Sequence, residues 1–235
     1  MIEVKNLSKK YSRIYVLRDI NFKVKAYEIF TIFGPSGSGK TTLLRLIAGF
    51  EKPDEGEILI NGKIVSAKDR LLPPYKRKIS MIFQNLALWP HMTVREHLEF
   101  VINKEKSKEE KVEDILEKVK LTGFENRYPH ELSGGEKQRL AIARALISNP
   151  SILLMDEPFT HLDFFLKKEI ITLILKLIKN FKITVIYVTH NLDEIKAISD
   201  RIIVINKGKI IFQGYKEEFF KDLIKYEKDW FYNFS

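Results

Sequence analysis

Residues Gly34-Pro35-Ser36-Gly37-Ser38-Gly39-Lys40-Thr41 constrain this chain more than any other stretch. A compact apolar run, Ile29 to Phe33, stops at Gly34, and from Lys40 the spacing Leu43, Leu44, Ile47, Ala48 is helical until Gly49. A buried strand, a glycine-rich turn and a helix therefore follow one another, and the turn matches G-x-x-x-x-G-K-[ST]. Glycines let successive N–H groups point inward, where phosphate oxygens sit, and the helix adds its positive N-terminal end. Lys40 supplies a point charge to the β- and γ-phosphates, and the Thr41 hydroxyl is a Mg²⁺ ligand. A glycine-rich turn without a ligand is the plainer reading, and its position between strand and helix weakens it.

A phosphate loop needs a second, acidic strand. Ile152-Leu153-Leu154-Met155-Asp156-Glu157 offers four apolar residues that bury a strand and two carboxylates at its exposed end. Asp156 would hold the metal, directly or through water, and Glu157 can polarise an attacking water. Without the loop, the same pair reads equally well as a cap ahead of Pro158. Transfer to a small substrate instead of water would require an arginine-bearing lid and a substrate pocket, and the sequence suggests neither.

The rest of the chain fits an α/β fold. Ile2, Val4 and then Ile20, Phe22, Val24 alternate as strands with one apolar face, Asn61-Gly62 between apolar runs signals a hairpin, and Ile79 to Phe83 reads as a strand. The spacing then predicts helices over 93–103, 107–120 and 135–147 with no strand among them, so residues 86–148 form a helical insertion. The rhythm returns with strand 151–156, helix 163–180, strand 183–188, helix 191–198 and strand 201–206, which implies a mainly parallel sheet with ligands at the strand C-termini. Phe219, Phe220, Leu223, Ile224, Trp230 and Phe231 mark a terminal amphipathic helix.

Composition removes other classes. With 45% hydrophobic and 30% charged residues the chain is not disordered, and the absence of cysteine rules out disulfide scaffolds and Cys-based zinc sites. No apolar run approaches 18 residues and the first residues lack a signal-peptide layout, so a soluble, cytoplasmic protein is expected. The 40 basic against 31 acidic residues give a formal charge of +9, but acidic residues interleave with the short lysine clusters, which reads as solvated helix faces instead of a nucleic-acid site.

Leu132-Ser133-Gly134-Gly135-Glu136 precedes the third helix of the insertion. A capping box explains Ser133 and Glu136 but not two adjacent glycines, each costing about 1 kcal/mol in a helix relative to alanine. Close backbone approach to an anion explains them, and it makes this a second phosphate cradle. With these residues in order, the chain resembles the ATP-binding subunits of ABC transporters over nearly its whole length. Gly34 to Thr42 is similar to the family's Walker A loop, Ile152 to Glu157 to its Walker B strand, and Leu132 to Glu136 to its signature sequence. The resemblance implies roles for three further residues: Gln84 contacts Mg²⁺ and relays to the membrane subunits, His190 contacts the γ-phosphate, and Tyr11 stacks on adenine.

The resemblance also implies a P-loop NTPase core of the RecA-like kind, with an N-terminal antiparallel β subdomain and the helical subdomain inserted in one domain spanning 1–235. It implies ATP and Mg²⁺ as cofactors, with Ser133, Gly134, Gly135 and Glu136 reaching the ATP of a second chain. That chain is a second copy or a related ATPase, and the two dimerise head-to-tail on ATP. The wider partners implied are transmembrane permease subunits and a solute-binding protein, with the chain peripheral on the cytoplasmic side and no nucleic acid bound.

Two departures stand out. Glu136 replaces the commonest glutamine, and its carboxylate is expected to point away from nucleotide and cap the helix. Phe159-Thr160-His161-Leu162-Asp163 replaces the usual Ser-Ala-Leu-Asp ending, keeping a hydroxyl at Thr160 and the Asp163 that the family uses for communication between sites. The stretch Phe83 to Val94 is similar to importer ATPases for sugars, polyamines and inorganic ions. A C-terminal regulatory domain, frequent in those proteins, is not expected in a chain ending at Ser235. The rival reading is a soluble ABC-type ATPase acting on nucleic acid or ribosomes, which usually has tandem cassettes or a long coiled-coil insertion.

Overall fold

Alternation in the first residues becomes two antiparallel strands, β1 (Ile2–Tyr11) and β2 (Ile14–Val24), in a computed structural model that describes residues 2–102, 107–160 and 162–225. Ile2, Val4, Ile20, Phe22 and Val24 are all buried, on the face the spacing predicts. The apolar run is β3 (Ile29–Phe33), buried at every residue, and it feeds through the glycine-rich turn into α1 (Lys40–Ala48), which Gly49 ends in a left-handed cap. Next come β4 (Glu55–Ile60) and β5 (Lys63–Ala67), then the short β6 (Arg70–Leu71). Asn61 and Gly62 join β4 to β5 with φ of 49° and 76°, the left-handed pair that a two-residue hairpin of type I′ requires.

Contacts divide the chain into two units: residues up to 79 together with those from 184 onward, and residues 80–183. In the first, β1, β2, β4, β5 and β6 form an antiparallel sheet in the order β2-β1-β4-β5-β6. Its remaining elements include β9 (Thr184–Thr189), α6 (Leu192–Ile198), β10 (Arg201–Asn206), β11 (Lys209–Tyr215) and α7 (Lys216–Lys225). β3 lies between β9 and β10 and parallel to both, with Phe33 opposite Thr189 on one side and Val204 on the other. β11 returns antiparallel to β10, and α7 delivers the buried Phe219 onto Phe33, Ile195, Ile202 and Val204. The terminal helix expected from the sequence is thus partly described. Trp230 and Phe231 lie outside the described residues, as does His161.

Arg77 ties this unit together. Its buried guanidinium donates to the carbonyls of Leu72 (2.7 Å), Leu46 (3.3 Å), Ile47 (2.8 Å) and Val65 (3.0 Å) and to the Ser66 hydroxyl (2.7 Å). It therefore joins the β5–β6 hairpin to the last carbonyls of α1, where a cation also suits the helix dipole. Burial pulls the guanidinium down to about 10, so it remains charged at neutral pH.

The second unit carries β8 (Ile152–Asp156), buried throughout, and the edge strand β7 (Ile79–Ile82) beside it. Between these strands the described residues form helices and loops but no strand: α2 (Val94–Val101), α3 (Lys108–Lys118) and α4 (Gly134–Leu146). α5 (Phe164–Phe181) follows β8 and packs on α4. Caps explain where these helices begin. Thr93 and Glu96 form a capping box on α2, and the Asp163 carboxylate accepts from the N–H groups of Phe165 and Leu166, each at 3.0 Å, at the start of α5. The whole is an α/β fold with a largely parallel sheet and an N-terminal antiparallel one, as the sequence pattern predicts.

Candidate functional site

The phosphate loop is built from the first unit. α2, α4, α5 and α6 begin under a side-chain cap, whereas α1 begins at Gly39 without one, as α3 does at Ser107. Its first turn thus keeps the positive end of the helix open to a ligand. Gly39 is left-handed, with φ of 105°, and a Cβ there would lie 2.7 Å from Leu17 and 2.8 Å from the Val16 carbonyl. A Cβ on Gly34 would come within 2.1 Å of the Ile205 carbonyl, so only glycine fits where the loop leaves β3. The N–H of Gly208 donates to the Ser38 carbonyl and fixes the loop against the β10–β11 turn.

Lys40 is buried, and its ammonium donates to the carbonyls of Gly34 and Pro35, 2.9 Å each. The charge is therefore held at the centre of the loop, with Gly37, Pro35 and Ser36 around its rim. The Ser38 hydroxyl oxygen is buried with no hydrogen-bond partner. A buried hydroxyl left unmatched costs about 1–3 kcal/mol, which a phosphate oxygen accepting from it offsets. An uncapped helix, a central ammonium and an orphaned hydroxyl together fit a polyphosphate.

Two predicted residues reach this loop. Tyr11 closes β1 with its ring 45% exposed, so it is not a core tyrosine. Its phenol hydrogen-bonds the Glu51 carboxylate and lies in reach of the Thr42 hydroxyl; burial and Glu51 hold it protonated, above its ordinary value. Glu51 in turn pairs with Arg45 of α1 at 3.5 Å. His190 follows Thr189, the residue paired with Phe33, so His190 and Gly34 leave neighbouring parallel strands side by side. On either side of His190 in sequence, the buried Glu194 carboxylate accepts from the hydroxyls of Tyr187 and Thr189, the latter at 2.5 Å, and the Thr189 hydroxyl accepts the Asn191 N–H at 3.0 Å. The sequence reading misses Glu194, Glu51 and Arg45: Glu194 is buried, Glu51 meets Tyr11 40 residues away, and Arg45 acts through Glu51.

The remaining predicted residues belong to the second unit. Asp156 is the buried last residue of β8. Glu157 follows with φ of 44°, and this left-handed step ends the strand and redirects the chain. The Thr160 hydroxyl donates to the Glu157 carbonyl at 2.9 Å and closes that turn without using the carboxylate. Gln84 stands two residues beyond the end of β7. Ser133 and Glu136 make the expected capping box: the Ser133 N–H donates to Glu136 at 2.7 Å and the Glu136 N–H to the Ser133 hydroxyl at 3.3 Å. The Ser133 N–H holds the Glu136 carboxyl below its usual range, so this cap is complete at neutral pH and is lost as pH falls through that lowered value.

The two glycines differ in their surroundings. A Cβ on Gly135 would meet the Leu166 side chain at 2.7 Å, so a larger residue there would have to displace the end of that side chain where α4 packs on α5. A Cβ on Gly134 would meet nothing within 4 Å. Gly134 alone presents an open approach at the α4 N-terminus.

A parallel α/β core whose first strand ends in this loop defines a P-loop nucleotide-binding protein. A family model described as ABC transporter matches residues 17–160, and the chain belongs to that family. The spermidine/putrescine import ATP-binding protein PotA of Chromobacterium violaceum is 46% identical over 214 residues, covering 89% of this chain and 58% of that protein. The protein of that name in Clostridium novyi is 43% identical over 226 residues, covering 94% and 64%. The chain thus spans about three fifths of the length of these curated relatives. Among solved structures, a dimeric ATP-binding cassette in a post-hydrolysis state with ADP and Pi matches at TM-score 0.81 and 34% identity, covering 92% of this chain and 99% of that one. The protein cbiO1 from Clostridium perfringens, part of an ABC transporter complex, matches at TM-score 0.85 and 29% identity, covering 95% and 92%. No helix among the described residues is long and apolar enough to cross a membrane.

Proposed function

We propose that this chain is the ATP-binding and ATP-hydrolysing component of an importing ABC transporter, working peripherally on the cytoplasmic side of a membrane through partner permease subunits. The observation that carries the reading is the phosphate loop, with the Lys40 ammonium at its centre, α1 uncapped above it and the Ser38 hydroxyl unmatched within it. Tyr11 stacks on adenine, residues Gly34 to Thr42 surround the phosphates, and His190 contacts the γ-phosphate. Thr41, Gln84 and Asp156 would hold Mg²⁺, which supplies charge neutralisation at the phosphates. The Glu157 carboxylate takes a proton from water as the water oxygen bonds to the γ-phosphorus and the bond to the ADP oxygen breaks.

The 1–235 chain is read as one ATPase domain, with 86–148 its helical subdomain. Two copies, or one copy and a related ATPase, close head-to-tail, Ser133 to Glu136 of each reaching the other's ATP while Thr160 and Asp163 link the two sites. Names of the relatives support a polyamine such as spermidine or putrescine as cargo; a solute-binding protein would deliver it. Expression in the native host with an affinity tag, followed by mild detergent extraction, tests the reading. Integral membrane proteins are expected to copurify, and the complex is expected to release phosphate from ATP only with Mg²⁺. Copurification of no integral membrane protein would contradict the transport part, and no Mg-dependent release would contradict the whole.

A further inference from the structure

The segment leaving Gln84 is held in an unusual shape. Leu86 and Ala87 have φ of 58° and 45°, left-handed conformations that cost a non-glycine residue on the order of 1 kcal/mol each. Two side chains of the second unit hold it there. Arg144 of α4 donates to the carbonyls of both residues, the one to Leu86 at 2.7 Å, and its guanidinium lies 5.0 Å from the centre of the Trp89 ring. His97 of α2 is wholly buried and takes the Trp89 N–H on Nε2 at 2.9 Å, while its Nδ1 lies 2.7 Å from the Thr93 carbonyl. A carbonyl only accepts, so Nδ1 carries the proton and Nε2 must stay bare.

We propose that His97, together with Arg144, is a positioning residue for the segment that follows Gln84, and that it holds Trp89 only as neutral imidazole, so that acid frees the segment and slows ATP turnover. The turnover clause rests on the function proposed above. A proton on Nε2 would set two N–H groups against each other and add a cation beside the Arg144 guanidinium. Burial pushes the imidazole below its ordinary 6.5; the Thr93 carbonyl opposes that, Arg144 adds to it, Glu96 on the same helix opposes it and His91 of the loop adds to it. The Glu96 carboxylate is itself engaged by the Thr93 N–H at 2.7 Å. Because the unfolded chain takes the proton more readily, stability is complete above pH 6.5 and falls as pH drops from there through the lowered value.

Trp89 is a built-in reporter, since Trp89 and Trp230 are the chain's two tryptophans. In a Trp230→Phe background, Trp89 emission and Mg·ATP turnover are followed from pH 8 to pH 5, with and without His97→Gln. The glutamine amide oxygen can replace Nε2 as acceptor but does not titrate. The parent is expected to show one emission transition with its midpoint below 6.5. Its kcat is expected to fall along the same curve, by about fivefold or more, with KM for ATP nearly constant. His97→Gln is expected to lack the emission transition and to keep kcat level over that range, and His91→Gln to behave as the parent. A transition that survives His97→Gln overturns the assignment to His97, and a transition that kcat does not follow overturns its positioning role. Absence of turnover even at pH 8 would count against the ATPase reading instead, and Trp89 emission would still decide whether His97 holds the segment.

Discussion

Replacing Lys40 by alanine is expected to weaken Mg·ATP binding by on the order of 10–100-fold, a charge-assisted contact to phosphate contributing about 1.5–3 kcal/mol. The effect is large because the ammonium is buried and already oriented by the carbonyls of Gly34 and Pro35, so no reorganisation offsets its attraction for the β- and γ-phosphates. The fold is expected to tolerate the change, since β3 and α1 are held by their apolar faces; Leu43, Leu44, Leu46 and Ile47 are fully buried. Calorimetric titration with Mg·ATP, alongside a thermal melt of both proteins, checks the two statements. Equal affinity in wild type and mutant would remove the phosphate loop from the account.

Glu157→Gln is expected to leave ATP binding intact and to lower turnover by on the order of 10²–10⁴-fold, the range for loss of a general base. The substitution separates chemistry from structure cleanly here. The turn after β8 is closed by the Thr160 hydroxyl on the Glu157 carbonyl, a bond the glutamine keeps. With hydrolysis blocked and binding preserved, the mutant is also expected to accumulate as an ATP-bound dimer. Phosphate release and size-exclusion profiles with Mg·ATP measure both effects. Near-normal hydrolysis would move the base elsewhere, with His190 the first residue to test.

What could be read from the sequence was local, and what escaped was contact between distant residues. The loop at Gly34 to Thr41, the hairpin at Asn61-Gly62 and the capping box at Ser133 and Glu136 are each set by neighbours within a few positions, where backbone geometry leaves little choice. β11 escaped although Lys207-Gly208, with φ of 46° and 74°, carries the same turn geometry as Asn61-Gly62. A glycine after a lysine is a weaker turn signal than one after an asparagine. Arg77 and His97 escaped for another reason. Nothing in the sequence around a single arginine or histidine says that it will be buried, or that its partners lie 30 residues away, as Ile47 does from Arg77. The contact of Gly135 with Leu166 escaped for the same reason, since the two lie 31 residues apart.

The open space at Gly134 selects the probe for the central claim, that each α4 N-terminus serves the ATP of a partner chain. Gly134→Asp places a carboxylate in open space at the first turn of α4, where an acidic residue suits the helix dipole of the lone chain but repels a partner's γ-phosphate. The measurement is phosphate release from tethered pairs. One pair carries Lys40→Ala in the first chain only, and the other adds Gly134→Asp in the second chain. If the site is shared, both changes fall on the same composite site, the second site stays whole, and the two pairs turn over ATP equally. If each α4 instead serves its own chain's loop, the added change kills the remaining site, and the second pair falls silent while the first stays active.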